Sequence, residues 1–417
     1  MRKGLVIIAV GLLWLGGQAL LPSPAEGKPS LSFRGQVRFN FIYSDKIFGS
    51  GQTISPGGFP FDEGPRADPE KDNEQTLLDG RRARFWVDIK EDAPLGIKLQ
   101  GKFQIDFNTT EGNSLTTNSR RPRLRLAYAE GIHPSGFTLR FGQARGLMSE
   151  YTDNLLGGGG GATVLNESGE TDQLTPRQGT VQLVYKRKVG AGTLTVGAGV
   201  ERTAVSLEDR GSLQGSAGPL ASESDVALRQ GSGQRVPFFV GGIRYKHPLF
   251  TVFGRGGGTE ARVVLKGSGD TETEPVWIGA IGVEIRPIPR LTIVGQYWYS
   301  DGMNRLNGRF NNVAFVNGKL EGIQVQGYHV GAKFKLTKAL RFNSSYHVVE
   351  ADEDEAIFDL SADSGDKEKF QTFHVNVIYR FWGAFETGVE YMYGKVESFG
   401  DSEGDINVVN VRFRYYF

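Results

Sequence analysis

Arginine and lysine recur at alternate positions in the first third of this chain and again at its end. Arg34 and Arg38 come first, then Arg82 and Arg84, Lys98 and Lys102, then Arg121, Arg123 and Arg125, Arg140, and finally Arg412 and Arg414. Guanidinium forks match carboxylate and phosphate oxygens two at a time, so these side chains gathered on one surface would attract and orient anions. Alternation gathers them only if the segments are extended, because successive side chains of a strand point to opposite faces. Asp88 and Asp106 share the cationic parity and are too few to neutralise it. The whole chain carries only +1, so the field is local, and no overall charge draws in nucleic acid.

Other chemistry is sparse. The connection 144–177 carries Glu150, Asp153, Glu167, Glu170 and Asp172 and the run Gly157 to Gly161. Folded inward, its acids would face the arginines across the narrowest point of an enclosed space; left outside, it is a surface loop. The glycines lack the strand-to-helix context of a nucleotide site. His133, His247, His329, His347 and His374 are scattered over turns and strands without paired metal-ligand spacing, and the acidic run Asp352, Glu353, Asp354, Glu355 reads as a solvated loop. Cysteine is absent, which excludes disulfides, Cys-ligated zinc and thiol catalysis. Ser345 and His347 share a strand face, but with no Gly-x-Ser-x-Gly elbow and no orienting acid in view a hydrolase or protease is the weaker alternative. An adhesin or structural envelope barrel is a further one. Neither a metal nor a cofactor is expected.

The elements that must position these side chains have a period of two. From Leu31 to Tyr43 one parity reads Leu31, Phe33, Gly35, Val37, Phe39, Phe41, Tyr43, and the other Ser32, Arg34, Gln36, Arg38, Asn40. Such segments run well past the usual strand of about five or six residues. They recur near 82–90, 96–108, 121–129, 137–143, 178–187, 192–203 and 234–246, then near 249–258, 275–286, 290–300, 323–335, 339–349, 368–380, 384–395 and 405–417. Long polar connections follow the odd-numbered strands; short ones such as Lys188-Val189-Gly190-Ala191 and Arg286-Pro287-Ile288-Pro289 follow the even-numbered ones. A soluble sandwich has no reason to sort its loops this way. The negative mean hydropathy excludes a helical membrane bundle. The reading is an all-β, transmembrane, antiparallel up-and-down β-barrel of about sixteen strands, with short periplasmic turns and long extracellular loops. Hydrocarbon cannot satisfy an open edge, so the last strand must meet the first. That places Arg412 and Arg414 beside Arg34 and Arg38 in one pore-lining wall.

Both ends of the chain support export. Arg2 and Lys3 precede an apolar run from Leu5 to Leu21 and a small-x-small site at Ser23-Pro24-Ala25, which predicts a signal peptide over 1–25 and one mature domain over 26–417. At the other end Val409, Val411, Phe413, Tyr415 and terminal Phe417 share one parity. This ending resembles the C-terminal signature of Gram-negative outer-membrane barrels, and the whole mature chain resembles the sixteen-strand porins. Leu139-Arg140-Phe141-Gly142-Gln143 is similar to a stretch of the phosphate-selective and dicarboxylate-type porins; Ala144-Arg145-Gly146-Leu147 stands where a Pro- and Phe-containing continuation would be expected. The resemblance implies a passive channel for small hydrophilic solutes, with phosphate or organic acids among the anions the arginine wall would favour. It further implies a homotrimer amid outer-membrane lipids and lipopolysaccharide, assembled by the barrel-assembly machinery through Phe417, with 144–177 in the place of the constriction loop.

Overall fold

The computed structural model describes residues 29–47, 62, 64, 73–108, 121–149, 155–156, 174, 177–202, 207–208, 226–227, 236–265, 271–304, 313–316, 319–353, 367–400 and 402–417. The expected signal peptide, the acids Glu150, Asp153, Glu167, Glu170 and Asp172, the glycines 157–161, and Asp354 and Glu355 lie outside the described residues.

Antiparallel strands close into a 16-strand barrel. The first half comprises β1 (Ser30–Ser44), β2 (Arg84–Asp92), β3 (Lys98–Asp106), β4 (Arg123–Ile132), β5 (Phe137–Arg145), β6 (Arg177–Val189), β7 (Gly192–Glu201) and β8 (Phe238–Lys246). The second comprises β9 (Phe250–Leu265), β10 (Thr271–Ile288), β11 (Leu291–Asp301), β12 (Gln324–Lys335), β13 (Leu340–Ala351), β14 (Lys367–Phe381), β15 (Phe385–Ser398) and β16 (Glu403–Tyr416). Each pairs with the next, and β1 pairs with β16 from Gln36↔Tyr416 to Ser44↔Val408. No helix among the described residues is long and apolar enough to cross a membrane; the crossing is made by strands.

Burial shows which way the sheet faces. Phe33 and Val37 are 64% and 56% exposed, whereas Arg38 and Asn40 on the opposite parity are 1% and 2% exposed. A soluble sheet does the reverse; apolar residues outside and polar ones inside are what hydrocarbon demands of a closed sheet.

Two departures from the sequence reading have local causes. Gln75–Asp79, expected to belong to a connection, pairs with the far half of β1 from Asn40↔Asp79 to Ser44↔Gln75. A turn at Gly80–Ala83 then separates it from β2, so Arg82 lies in that turn and not on the strand. The second departure is at β9 and β10, which reach Leu265 and start at Thr271, beyond the expected 249–258 and 275–286. Glu272 and Glu274 sit in the extension, where polar residues on a strand hide the alternation that identifies one.

The strand ends that lead into the long connections lie at one end of the barrel, and described residues of the first connection bind its wall. Lys46 Nζ binds Asp62 and, at 2.9 Å, Asp405 Oδ1, while Asp45 accepts from the backbone N and Nδ2 of Asn407 at 2.8 and 2.6 Å. Burial alone would depress the Lys46 ammonium, but the bonds to Asp62 and Asp405 hold its pKa above the usual lysine value. At this end the inward positions are apolar: Ile278, Trp298, Val325, Val349, Phe370 and Val408 form one buried cluster with Met303, Val313, Leu320 and Ile323 of the β11–β12 connection. Within that connection Val313–Val316 pairs with Lys319–Gly322 and, in parallel, with Leu207–Glu208 from the β7–β8 connection.

Closure uses a notch. Phe417 N donates to Gly35 O at 3.1 Å and Gly35 N to Phe417 O at 2.9 Å, and the Phe417 ring lies where a side chain at position 35 would be: a Cβ there would sit 2.2 Å from the ring. Gly35 is therefore covered by the chain's own last residue. Gly35→Leu should displace the ring and lower the barrel's unfolding free energy by about 1–3 kcal/mol, as overpacking does. Urea-dependent loss of heat-modifiable gel mobility measures this, and unchanged midpoints for Gly35→Leu would refute the notch.

Candidate functional site

The inward face from β13 through β16 and β1 to β6 is dominated by arginine, organised around a few carboxylates. Gln36, Arg84, Asp106 and Arg123 lie in one row across β1 to β4 by strand register. Asp106 is fully buried and accepts both arms of Arg123, Nε at 2.9 Å and Nη2 at 3.0 Å, as well as a bond from Arg125. Arg145 and Arg177 face each other across β5 and β6, and Arg177 has Arg125, Arg145, Arg123 and Asp106 as charged neighbours; Arg84 adds to the charge around Arg125. Among the described residues, five guanidinium groups thus gather about Asp106.

Arg125 joins this group through a bulge, not through simple alternation. The β3–β4 register steps from Gln104↔Leu126 to Ile105↔Leu124, leaving Arg125 as the extra residue. A bulge exchanges the faces beyond it, so Leu126, Tyr128 and Glu130 turn inward where strict parity would have placed Ala127 and Ala129. That brings in an acid the sequence reading missed. Arg140 bonds Glu130 through Nε at 2.8 Å and Nη2 at 2.6 Å, and its guanidinium stands 4.2 Å over the Tyr128 ring.

A second carboxylate centre lies nearer the short turns. Glu386 on β15 meets Arg412 at 2.7 Å, Arg341 at 3.3 Å, Arg380 at 3.4 Å and Arg414 at 3.7 Å. Arg38 stands opposite Arg414 in the β1–β16 register and donates to Asn40 Oδ1 at 3.3 Å. Asp88 draws Lys102 at 3.5 Å and Arg34 at 3.9 Å. Arg82 is buried in the Gly80–Ala83 turn, where its carbonyl accepts from Gln36; Lys98 and Arg121 are exposed at strand ends. Asp88 and Asp106 stand on the wall as expected, and Glu130 and Glu386 add two carboxylates that were not expected there. Arg145, Arg177, Arg341 and Arg380 belong to the wall as well; inward parity on β13 and β14 would have found the last two.

The described parts of the connection between β5 and β6 turn onto the inner wall. Leu147 and Met148 are fully buried, and Leu156 and Leu174 nearly so. Leu147 N donates to Glu201 Oε1 at 2.7 Å, and Gln182 Nε2 donates to Arg145 O at 2.8 Å. From β9, Arg255 Nη1 donates to Met148 O at 3.1 Å and Ser149 O at 2.6 Å. Leu156 sits where glycine leaves room: a Cβ on Gly197 or Gly242 would come within 3.0 or 2.9 Å of it.

Three of the five histidines, read from sequence as scattered, come together on this wall. His329, His347 and His374 face inward on β12, β13 and β14, with ring centroids 5.2 Å apart for the first pair and 5.5 Å for the second. His347 Nε2 is 2.9 Å from Ser345 Oγ, its inward neighbour on the same strand, and the nearby carboxylate Glu390 approaches His374, at 3.7 Å. Among the described residues no group of three or more His, Asp or Glu is arranged to hold a metal ion.

A closed antiparallel barrel with an apolar exterior and a polar, arginine-rich interior has the fold of the outer-membrane porins. Particular solved structures share it over nearly the whole chain. The outer-membrane channel DcaP of Acinetobacter baumannii superposes with a TM-score of 0.67 at 19% identity, covering 93% of this chain and 97% of that one. An anion-selective porin from Comamonas acidovorans gives 0.56 at 11%, covering 94% and 100%. OmpT of Vibrio cholerae, solved in a trimer form, gives 0.50 at 13%, covering 93% and 99%. No protein-family model and no curated protein matches the chain.

Because the chain lacks cysteine, a thiol placed at Met148 reports on the connection's seat. Each bond from the Arg255 cation to a carbonyl contributes about 1.5–3 kcal/mol. In a Met148→Cys background, Arg255→Ala should therefore speed maleimide labelling at least ~10-fold; equal labelling rates with and without Arg255 would show that it does not hold the connection.

Proposed function

We propose that this barrel is a passive diffusion channel for small hydrophilic solutes in a Gram-negative outer membrane, and that it prefers anions. The observation that carries the reading is the excess of guanidinium over carboxylate along the inward face from β13 to β6. Among the described residues around Asp106 and Glu386, the cations outnumber the acids several-fold. A low-dielectric wall focuses such a field and concentrates counter-ions. Phosphate and organic acids are the solute classes that guanidinium forks suit. The neighbours' descriptions as an outer-membrane channel and an anion-selective porin agree with it.

The rest of the reading follows the same fold. The connection 144–177, whose described ends bind the inner wall through Glu201, Arg255 and Gln182, narrows the passage. Signal peptide 1–25 directs export, and the C-terminal strand ending in Phe417 is the handle for the barrel-assembly machinery. Lipid and lipopolysaccharide surround the apolar exterior, and three copies associate, as in the trimer form of OmpT.

Planar-bilayer recording under a potassium chloride gradient tests the reading. An anion-directed reversal potential is expected. Arg341→Gln with Arg380→Gln leaves Glu386 bonded to Arg412 and Arg414, and should lower the chloride-to-potassium permeability ratio at least ~2-fold. A cation-directed potential in the unmodified protein would eliminate the anion preference, and absence of conductance the channel.

A further inference from the structure

His329, His347 and His374 occupy three adjacent strands of the inner wall; the array steps one inward position toward the short turns from His347 to His374, and one more to Glu390 on the fourth strand. His329 and His347 are direct cross-strand partners, and His374 faces Ser345, one inward position from His347. All three imidazoles and Glu390 are nearly fully buried against the wall. Asn343 Nδ2 donates to Asn376 Oδ1 at 2.7 Å and Asn376 Nδ2 to Glu390 Oε2 at 3.0 Å, so the amides of its own row fix the carboxylate.

Among the described residues on the inward parity of β12 to β16, the other charged groups nearest the array lie on its short-turn side. Uncharged Gln296 of β11 faces His329, Thr372 faces His347, Met392 faces His374 and Asn410 of β16 faces Glu390. Further along the inward parity stand Lys333 on β12, Arg341 on β13, Arg380 on β14, Glu386 on β15 and Arg412 on β16. On the long-loop side the inward positions Val325, Val349, Phe370 and Val396 are apolar. The array is thus the boundary between the apolar collar and the arginine wall, and Glu390 is its only formal charge while the imidazoles are neutral. Histidine is the side chain whose ordinary titration falls between about pH 5 and 8. Each proton taken up here adds a positive charge where the cationic stripe otherwise ends.

We propose that His329, His347 and His374, with Glu390, form a specificity-determining element that ties the channel's anion preference to pH. Neutral imidazoles leave a band whose formal charge is that of Glu390; protonated ones extend the arginine wall toward the long loops and strengthen selection against cations. The proposal rests on the reading of the barrel as an anion-preferring channel.

Reversal potentials at about pH 8 and about pH 5.5 test it. The unmodified protein should become more anion-selective on acidification, its permeability ratio rising severalfold. The triple variant His329→Gln, His347→Gln, His374→Gln should lose that rise while keeping its preference at high pH. If the triple variant fails to show folded-barrel mobility on unheated gels, His347→Gln alone, which removes the central ring, should reduce the rise. Glu390→Gln should raise anion preference already at high pH. Imidazole nitrogen chemical shifts of the purified protein supply a readout independent of current. A pH rise retained by the histidine variants, or imidazoles that take up no proton across this range, would overturn the proposal while leaving the channel reading intact. An unmodified protein without anion-directed current would instead sink the reading it rests on.

Discussion

Everything in this molecule depends on backbone pairing around a closed ring. Hydrocarbon offers no partner for a peptide N–H or C=O, so a sheet that crosses it cannot keep an edge. The edges here are removed by β1, which pairs with β2 over Ser30 to Gln36 and with β16 over Gln36 to Ser44, while Gln75–Asp79 takes the place beside its far half. With closure achieved, one parity of each strand faces lipid and the other must find partners inside. The inward arginines are therefore a product of the same constraint that hides the backbone, and the seat of Phe417 on Gly35 completes the ring at the chain's last residue.

Crowding guanidinium groups in a partly desolvated lumen is costly unless something anchors them. Asp106 and Glu386 do this by accepting from several arginines at once, which fixes the forks in place without cancelling the local excess of positive charge. Glu130 acts differently: Nε and Nη2 of Arg140 converge on its Oε2 and it neutralises that one cation, with Tyr128 stacked on the same guanidinium. The wall is thus graded, cation-rich around Asp106 and Glu386 and balanced at Arg140.

Most of the architecture was legible in the chain because a lipid-facing strand must alternate over its whole length. The period of two located all sixteen barrel strands, and the sorting of long and short connections gave their direction. What escaped were features set by cross-strand register, which a single segment does not encode. The extra residue at Arg125 exchanges faces within β4 and turns Glu130 inward. Glu386 becomes a partner of Arg412 only through the β15–β16 pairing. His329, His347 and His374 are separated by 18 and 27 residues in sequence and meet because their strands are neighbours in the right register. The Gly80–Ala83 turn was missed for another reason: Gln75–Asp79 is short and only partly apolar, and what identifies it as a strand is its partner on β1.

Register also stacks the inner wall in layers along the barrel axis. On β13 the inward sequence from the short-turn end is Arg341, Asn343, Ser345, His347, Val349, Ala351; on β14 it is Arg380, Ile378, Asn376, His374, Thr372, Phe370. Apart from Ile378, Ser345 and Thr372, charge gives way to amide, amide to imidazole, and imidazole to hydrocarbon. Two antiparallel strands with unrelated sequences run through nearly the same series in opposite chain directions, so the order belongs to height in the barrel and not to either segment. Such an order suits a passage in which the long-loop end packs its own connections against apolar side chains while the deeper wall carries the charge. In the proposed channel, selection by charge takes place behind an apolar collar, and the imidazoles stand where one regime passes into the other.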